Sequence, residues 1–309
     1  FSIVEVSSPS ELAKIQFWLS PEGTPKYMVT YEDQLVIDTS SLGFEFKGQP
    51  AMDSGFEIAD QTLNEFDESW EMPWGEQRVV QNHYQEVQID LKETTENGRA
   101  LTLFFRAYDD GVAFRYHFPN QEGVEALIIT GENSQFNLTG DHQSWWIPGD
   151  WDIYEHLYSE TKFSEIDALS KRGHPNLAQT YIPHNAVNTP VTLVGKNNIH
   201  LSFHEAALVD YSGMTLGVDT KNLAFESILV GSDNTNYKVK RSLPFKTPWR
   251  TIQITKNAPD LIESNLIVNL NEPNKLGNVS WFKPMKYTGI WWEMHLDKTT
   301  WDMASGRHG

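Results

Sequence analysis

The alternation of apolar and polar residues constrains this chain most. Residues 84 to 91 read Tyr-Gln-Glu-Val-Gln-Ile-Asp-Leu, a clean period of two. A period of two sends successive side chains to opposite faces of a pleated strand, so this run predicts a strand with one buried face. Leu101–Tyr108 and Val112–Phe118 flank Asp109-Asp110-Gly111, which predicts a hairpin turning at the Asp-Gly. Lys26–Tyr31 and Gln34–Asp38 flank Glu32-Asp33 and predict a second, tighter one. Further strand-like runs occur at Gly43–Lys47, Ala126–Thr130, Val191–Val194, His200–Phe203, Leu223–Phe225 and Thr251–Thr255. No long segment carries a helical period. Ser164 to Pro183 is the most helical or irregular interruption, with Pro175 and Pro183 bounding its end. Many short strands at regular spacing predict a mainly β protein built as a large sandwich.

The totals agree with a folded domain. The chain has 309 residues, 39% of them apolar, enough for a substantial core. Its net charge of −18, from 42 acidic and 24 basic residues, repels nucleic acid and anionic membranes and speaks against a nucleic-acid partner. With no cysteine, disulfide stapling and thiolate chemistry are excluded. No apolar run reaches the length of a membrane span. The chain opens on Phe1 without a signal-like segment, which is expected of a processed mature chain.

The last thirty or so residues change character. Lys286-Tyr-Thr-Gly-Ile-Trp-Trp292 is a continuous run of the kind found in strands buried on both faces. Such a strand needs helices on both sides. The run is therefore expected to open an α/β domain that continues past residue 309, with a last sandwich strand and a loose tail as the alternative.

Most familiar chemistries fail on spacing. His204-Glu205-Ala-Ala-Leu208 would need a second histidine at 208 to be a zinc motif, and the other histidines lack ligand spacing. There is no Gly-rich Lys-Ser/Thr phosphate loop, no Gly-x-Ser-x-Gly elbow and no EF-hand loop. Aromatic residues and carboxylates remain. They concentrate at Trp145 to Glu155, Trp-Trp-Ile-Pro-Gly-Asp-Trp-Asp-Ile-Tyr-Glu. Indole faces suit the C–H surface of a sugar, and carboxylates suit its hydroxyls or a hard cation. The same stretch also reads as an aromatic core edge ending in a polar loop. Glycoside hydrolysis needs two carboxyl groups flanking the scissile bond, but acids are too numerous here for spacing to select a pair.

A series of motifs, in order along the chain, resembles glycoside hydrolase family 97. They are Trp70-Glu-Met-Pro-Trp-Gly-Glu76, Asn82-His-Tyr-Gln-Glu86, Asp109-Asp-Gly-Val-Ala-Phe-Arg-Tyr116, Trp146-Ile-Pro-Gly-Asp150, His204-Glu-Ala-Ala-Leu-Val-Asp-Tyr211, Thr247-Pro-Trp-Arg-Thr-Ile252 and Lys286-Tyr-Thr-Gly-Ile-Trp-Trp-Glu-Met294. The resemblance implies an N-terminal β-super-sandwich over residues 1–275, then a linker and the first strand of a catalytic (β/α)8 barrel over 276–309, the rest of the barrel and a C-terminal β domain being absent from this sequence.

It also implies an activity: exo-acting hydrolysis of terminal α-glucosidic bonds of oligosaccharides, dependent on a calcium ion and proceeding with inversion. The retaining α-galactosidases of the same family are one alternative, and a non-catalytic carbohydrate-binding or support module is another. The catalytic acid and base lie on later barrel strands, so no residue of this chain takes those roles. Glu155 matches the family's sandwich-loop glutamate that ligates calcium beside the substrate. Trp291, at the end of the first barrel strand, is expected to wall the −1 sugar subsite, while Trp292 packs outward. Trp70, Trp74, Arg115, Tyr116, His204 and Glu205 are expected to be scaffold. Export to the periplasm is the expected location.

Overall fold

The computed structural model describes residues 2–96, 98–173, 180–232, 234–287, 289 and 291–307. Among them the strands form three antiparallel sheets. The first has eight strands in the order Val4–Ser7, Ala13–Leu19, Pro25–Tyr31, Gln34–Ser41, Gln135–Leu138, Ala224–Leu229, Met214–Asp219 and Ala186–Val187. The largest runs from Ser159–Lys162 through Gln143–Trp146, Val191–Val194, His200–Ala206, Trp249–Thr255, Gly111–Phe118, Ala100–Tyr108 and Val79–Glu93 to Phe56–Glu71. Phe245–Lys246 also pairs with Gly111–Phe118. A small sheet joins Val239–Ser242, Ala126–Glu132 and Phe44–Phe46.

The alternation seen in sequence builds the core. Tyr27, Val29 and Tyr31 are buried while Lys26, Met28 and Thr30 are only partly covered. Their inward face meets the inward face of the largest sheet: Phe17 lies 5.6 Å from Phe105, Tyr27 5.2 Å from Phe114 and Phe136 5.5 Å from Phe203, centroid to centroid. Each such side chain contributes about 1.5–3 kcal/mol by leaving water. The expected sandwich is therefore formed, with an aromatic interior.

Both expected hairpins are present. Glu32 and Asp33 take φ of 47° and 59°, the left-handed pair that a two-residue hairpin turn requires. In the other hairpin Tyr108 pairs with Gly111, so Asp109-Asp110 make the turn and Gly111 begins the next strand. Gly111 serves close approach: a Cβ there would come within 2.3 Å of the Ile252 carbonyl oxygen.

Ser164 to Pro183 is irregular as expected, with two short 3-10 turns at Phe163–Glu165 and Leu169–Lys171; residues 174–179, Pro175 among them, lie outside the described residues.

The chain divides into two compact units. One comprises Phe1–Trp70 with Gln81–Glu272 and holds the sandwich; the other comprises Glu71–Val80 with Pro273–Gly309. In the second unit no described residue of 287–292, the expected barrel strand, is in a strand. Thr288 and Ile290 lie outside the described residues, and Trp291–His295 is a short helix. A strand draws its hydrogen bonds from neighbours, and no described segment after residue 287 supplies one. Trp291 and Trp292, expected to face opposite ways, are 73% and 70% exposed, each near the His295 ring.

Candidate functional site

The aromatic and acidic stretch occupies one hairpin at an edge of the largest sheet. Gln143–Trp146 pairs with Ser159–Lys162, ending at Trp146 opposite Ser159, and residues 147–158 form the loop between them. Trp146 is buried, and its indole N–H donates to Thr161 Oγ1 at 3.0 Å. Pro148 bridges to Val187, and the Gly149 N–H donates to the Ala186 carbonyl at 2.7 Å. A Cβ on Gly149 would press within 2.8 Å of Ile182 Cδ1 and 3.0 Å of that carbonyl, which explains glycine here. Trp151 is partly covered, with the Lys238 ammonium 5.1 Å from its ring centroid. The tryptophans thus form the packed base of the loop.

Asp150 ties the next turn of the loop together. Its Oδ1 accepts the backbone N–H groups of Asp152 (2.9 Å), Ile153 (3.3 Å) and Thr180 (3.3 Å). Its Oδ2 accepts the His156 Nε2–H at 3.2 Å. The Asp150 side chain is fully enclosed, and that of His156 is 5% exposed. A buried carboxylate is tolerated when its lone pairs are filled in this way. Asn188 holds the same turn from the other side, accepting the Asp150 N–H at 3.1 Å and donating to the Ile153 carbonyl at 3.2 Å. Thr180 Oγ1 also hydrogen-bonds Asp152 Oδ2.

Glu155 stands exposed beyond this knot. Its Oε2 accepts the Tyr154 N–H at 3.0 Å, and among the described residues its Oε1 has no partner. Tyr154, Leu157 and Tyr158 beside it are 70%, 87% and 63% exposed, an apolar tip presented outward. An exposed hard-oxygen donor fits one position of a calcium shell. Six to eight oxygens are needed, and no group of three or more His, Asp or Glu suited to a metal occurs among the described residues. Trp291 belongs to the other unit, so Glu155 and Trp291 stand in separate bodies.

The remaining motifs lie in packing and hydrogen-bonding contacts. Arg250 is buried, forked onto both Glu132 oxygens (2.7 Å each), and donates to Glu205 at 2.8 Å. Burial opposes the Arg250 charge, but Glu132 and then Glu205 outweigh it and hold the guanidinium above its ordinary pKa. Burial raises the Glu205 carboxyl, and Arg250 counters it. Tyr211 and Ser134 donate to Glu132, and Tyr116 hydrogen-bonds Ser134. On the outer face Arg115 lies 4.3 Å from the Trp249 ring centroid, and burial followed by the Arg106 charge lowers it to about 10. His204 hydrogen-bonds Thr189 Oγ1 at 3.1 Å. Trp70 donates to Asn269 Oδ1 at 2.8 Å, and Trp74 packs edge-on against Phe282.

Residues 6–273 match the family model for the glycosyl-hydrolase 97 N-terminal domain. The chain belongs to glycoside hydrolase family 97. A family 97 enzyme from Pseudoalteromonas sp. strain K8, solved in complexes with panose and with acarbose, superposes with a TM-score of 0.83 at 36% identity, covering 99% of this chain and 43% of that one. A retaining alpha-galactosidase of Bacteroides thetaiotaomicron is 23% identical over 92% of this chain and 46% of its own length. A probable retaining alpha-galactosidase of Streptomyces bingchenggensis is 22% identical over 93% of this chain and 41% of its own. The chain spans less than half the length of each of these family 97 relatives.

The family resemblance singles out Glu155, and the sequence does not reveal the residues that tie down its loop. Asp150 and His156 lie in the same stretch, while Thr180 and Asn188 come from a separate segment, which local spacing cannot reach.

Proposed function

We propose that this chain is the N-terminal domain of a calcium-dependent, exo-acting α-glucosidase of family 97 that cleaves terminal α-glucosidic bonds of oligosaccharides with inversion. The observation that carries the glucosidase reading is the 36% identity to the Pseudoalteromonas enzyme captured with panose, a trisaccharide of α-linked glucose, against 23% to the Bacteroides retaining alpha-galactosidase. Retaining hydrolysis of α-galactosides is the second reading, supported by the names of the two curated relatives. Glu155 is the calcium ligand offered by this domain, with the remaining oxygens supplied by the rest of the enzyme and by water. When bound, calcium supplies a hard Lewis acid that polarises water and sugar hydroxyls. The exposed tip of Tyr154, Leu157 and Tyr158 gives this loop an apolar surface with which to seat against the barrel. Trp291 walls the −1 subsite, its ring against the sugar.

The test is an assay of the full-length enzyme on p-nitrophenyl α-glucoside and α-galactoside, with calcium and with a chelator, following the anomer first released by NMR. A glucosidase that releases the β-anomer and stops with chelator is expected. Preference for galactoside with release of the α-anomer selects the second reading, and activity of the 309-residue domain alone would show that it is not merely a support domain. In the same assay Glu155→Gln should weaken calcium binding and lower kcat at unchanged folding. Trp291→Ala should raise KM on the preferred glycoside; unchanged KM and kcat would remove Trp291 from the subsite.

A further inference from the structure

We infer that Asp150, His156 and Asn188 form a clamp that positions Glu155 for its cation, an inference that rests on the reading of Glu155 as a calcium ligand. The loop is fixed at its feet by the Trp146–Ser159 pair, but residues 147–158 are too many for the feet alone to place a side chain at the tip. A metal ligand must be held to roughly half an ångström. The clamp supplies that restraint on both sides of residue 155. Before it, Ile153 is tied twice, its N–H to Asp150 and its carbonyl to Asn188. After it, the ring of His156 is tied to the same Asp150 carboxylate. Only Tyr154 and Glu155 lie between the two anchors.

The chemistry of each member suits this task. Carboxylate oxygens accept and never donate, so the Asp150–His156 contact requires the imidazole to carry a proton on Nε2. Asn188 must be an amide, because it accepts at Oδ1 from one backbone group while donating through Nδ2 to another. Asp150 is buried and saturated by its donors, so it is unsuited to ligate an ion itself. It acts through the chain it organises. These are positioning residues in the sense that outer-shell groups orient the ligands of a metal, where their loss reduces affinity by about ten- to a hundredfold.

The experiment uses the full-length enzyme and reads calcium affinity by titration calorimetry, with amide exchange of residues 152–156 measured in the metal-free protein. His156→Ala and Asn188→Ala should each raise the calcium Kd by about tenfold or more and speed exchange at 152 and 153. His156→Gln, whose side-chain amide can still donate to Asp150, should recover most of the affinity. A general structural role would instead lower the unfolding midpoint and leave the Kd of the folded protein alone. Glu155→Gln is measured alongside. If Glu155→Gln weakens calcium binding but both alanine variants bind normally, the clamp is overturned while the ligand stands. If Glu155→Gln itself leaves the Kd unchanged, the ligand reading falls and the clamp's purpose with it.

Discussion

Single residues divide here into those that hold the fold and those that hold the loop, and burial separates them. Arg250 is the clearest of the first kind. Its guanidinium is fully enclosed between Glu132 and Glu205 and has no access to water. Such a triad gains little over an apolar replacement when intact, because desolvation consumes most of the attraction, but breaking it strands charge in the core. Arg250→Ala should therefore cost about 3–5 kcal/mol and lower the unfolding midpoint on the order of 10 °C. Replacing Arg250 by Met together with both glutamates by Gln should recover much of that loss. Thermal unfolding followed by circular dichroism checks both, and a loss below about 1 kcal/mol for Arg250→Ala would mean that the carboxylates find other partners. Glu205 is expected to be scaffold as part of one of the motifs shared with the family. The sequence carries no sign of Arg250 as its partner, since that contact spans 45 positions.

At the scale of elements, legibility tracks how local the cause is. Hairpins are readable because a turn and its flanking alternation are adjacent, as at Glu32-Asp33 and Asp109-Asp110. The 16-residue strand Phe56–Glu71 is not, because it lies at the edge of its sheet and most of its side chains are exposed. Its acids, including Asp60, Asp67 and Glu68, occur where burial imposes no alternation, and charge there also discourages pairing with another chain. The run from Lys286 to Trp292 shows the opposite case. Its composition is that of a strand, yet the helix Trp291–His295 begins within it, because a strand is made by its neighbours as much as by its own residues. The loop at 147–158 falls between. Its aromatic base and its glutamate are visible as types, whereas the knot at Asp150 depends on Thr180 and Asn188 arriving from elsewhere. That is why the sequence points to the loop and not to the residues that hold it.

For the molecule as a whole, three buried or half-buried histidines set a response to acid. Burial lowers the pKa of His204 and His142 below the ordinary 6.5, and burial followed by the Lys246 and Arg115 charges lowers that of His117. The unfolded chain therefore binds protons that the folded imidazoles refuse. With more protons on the unfolded state, stability rises with pH: this contribution is complete above the unfolded value near 6.5 and is lost as pH falls towards and through the folded values. Two buried carboxyls act in the other direction. Glu205 and Asp110 are raised by burial, so their contribution is complete below the ordinary carboxylate range and declines as pH rises through their folded values. Acidification also relieves the self-repulsion of a net charge of −18. The histidine effect must therefore be isolated by difference. The unfolding midpoint should be measured at pH 7.5 and 5.5 for the parent and for a His142→Gln, His204→Gln double variant. Glutamine keeps a polar group in each site but cannot take up a proton, so the variant should lose less stability than the parent between those two pH values. At pH 7.5 the two proteins should differ only by the packing change. An equal drop in both would show that neither imidazole is kept neutral by the fold.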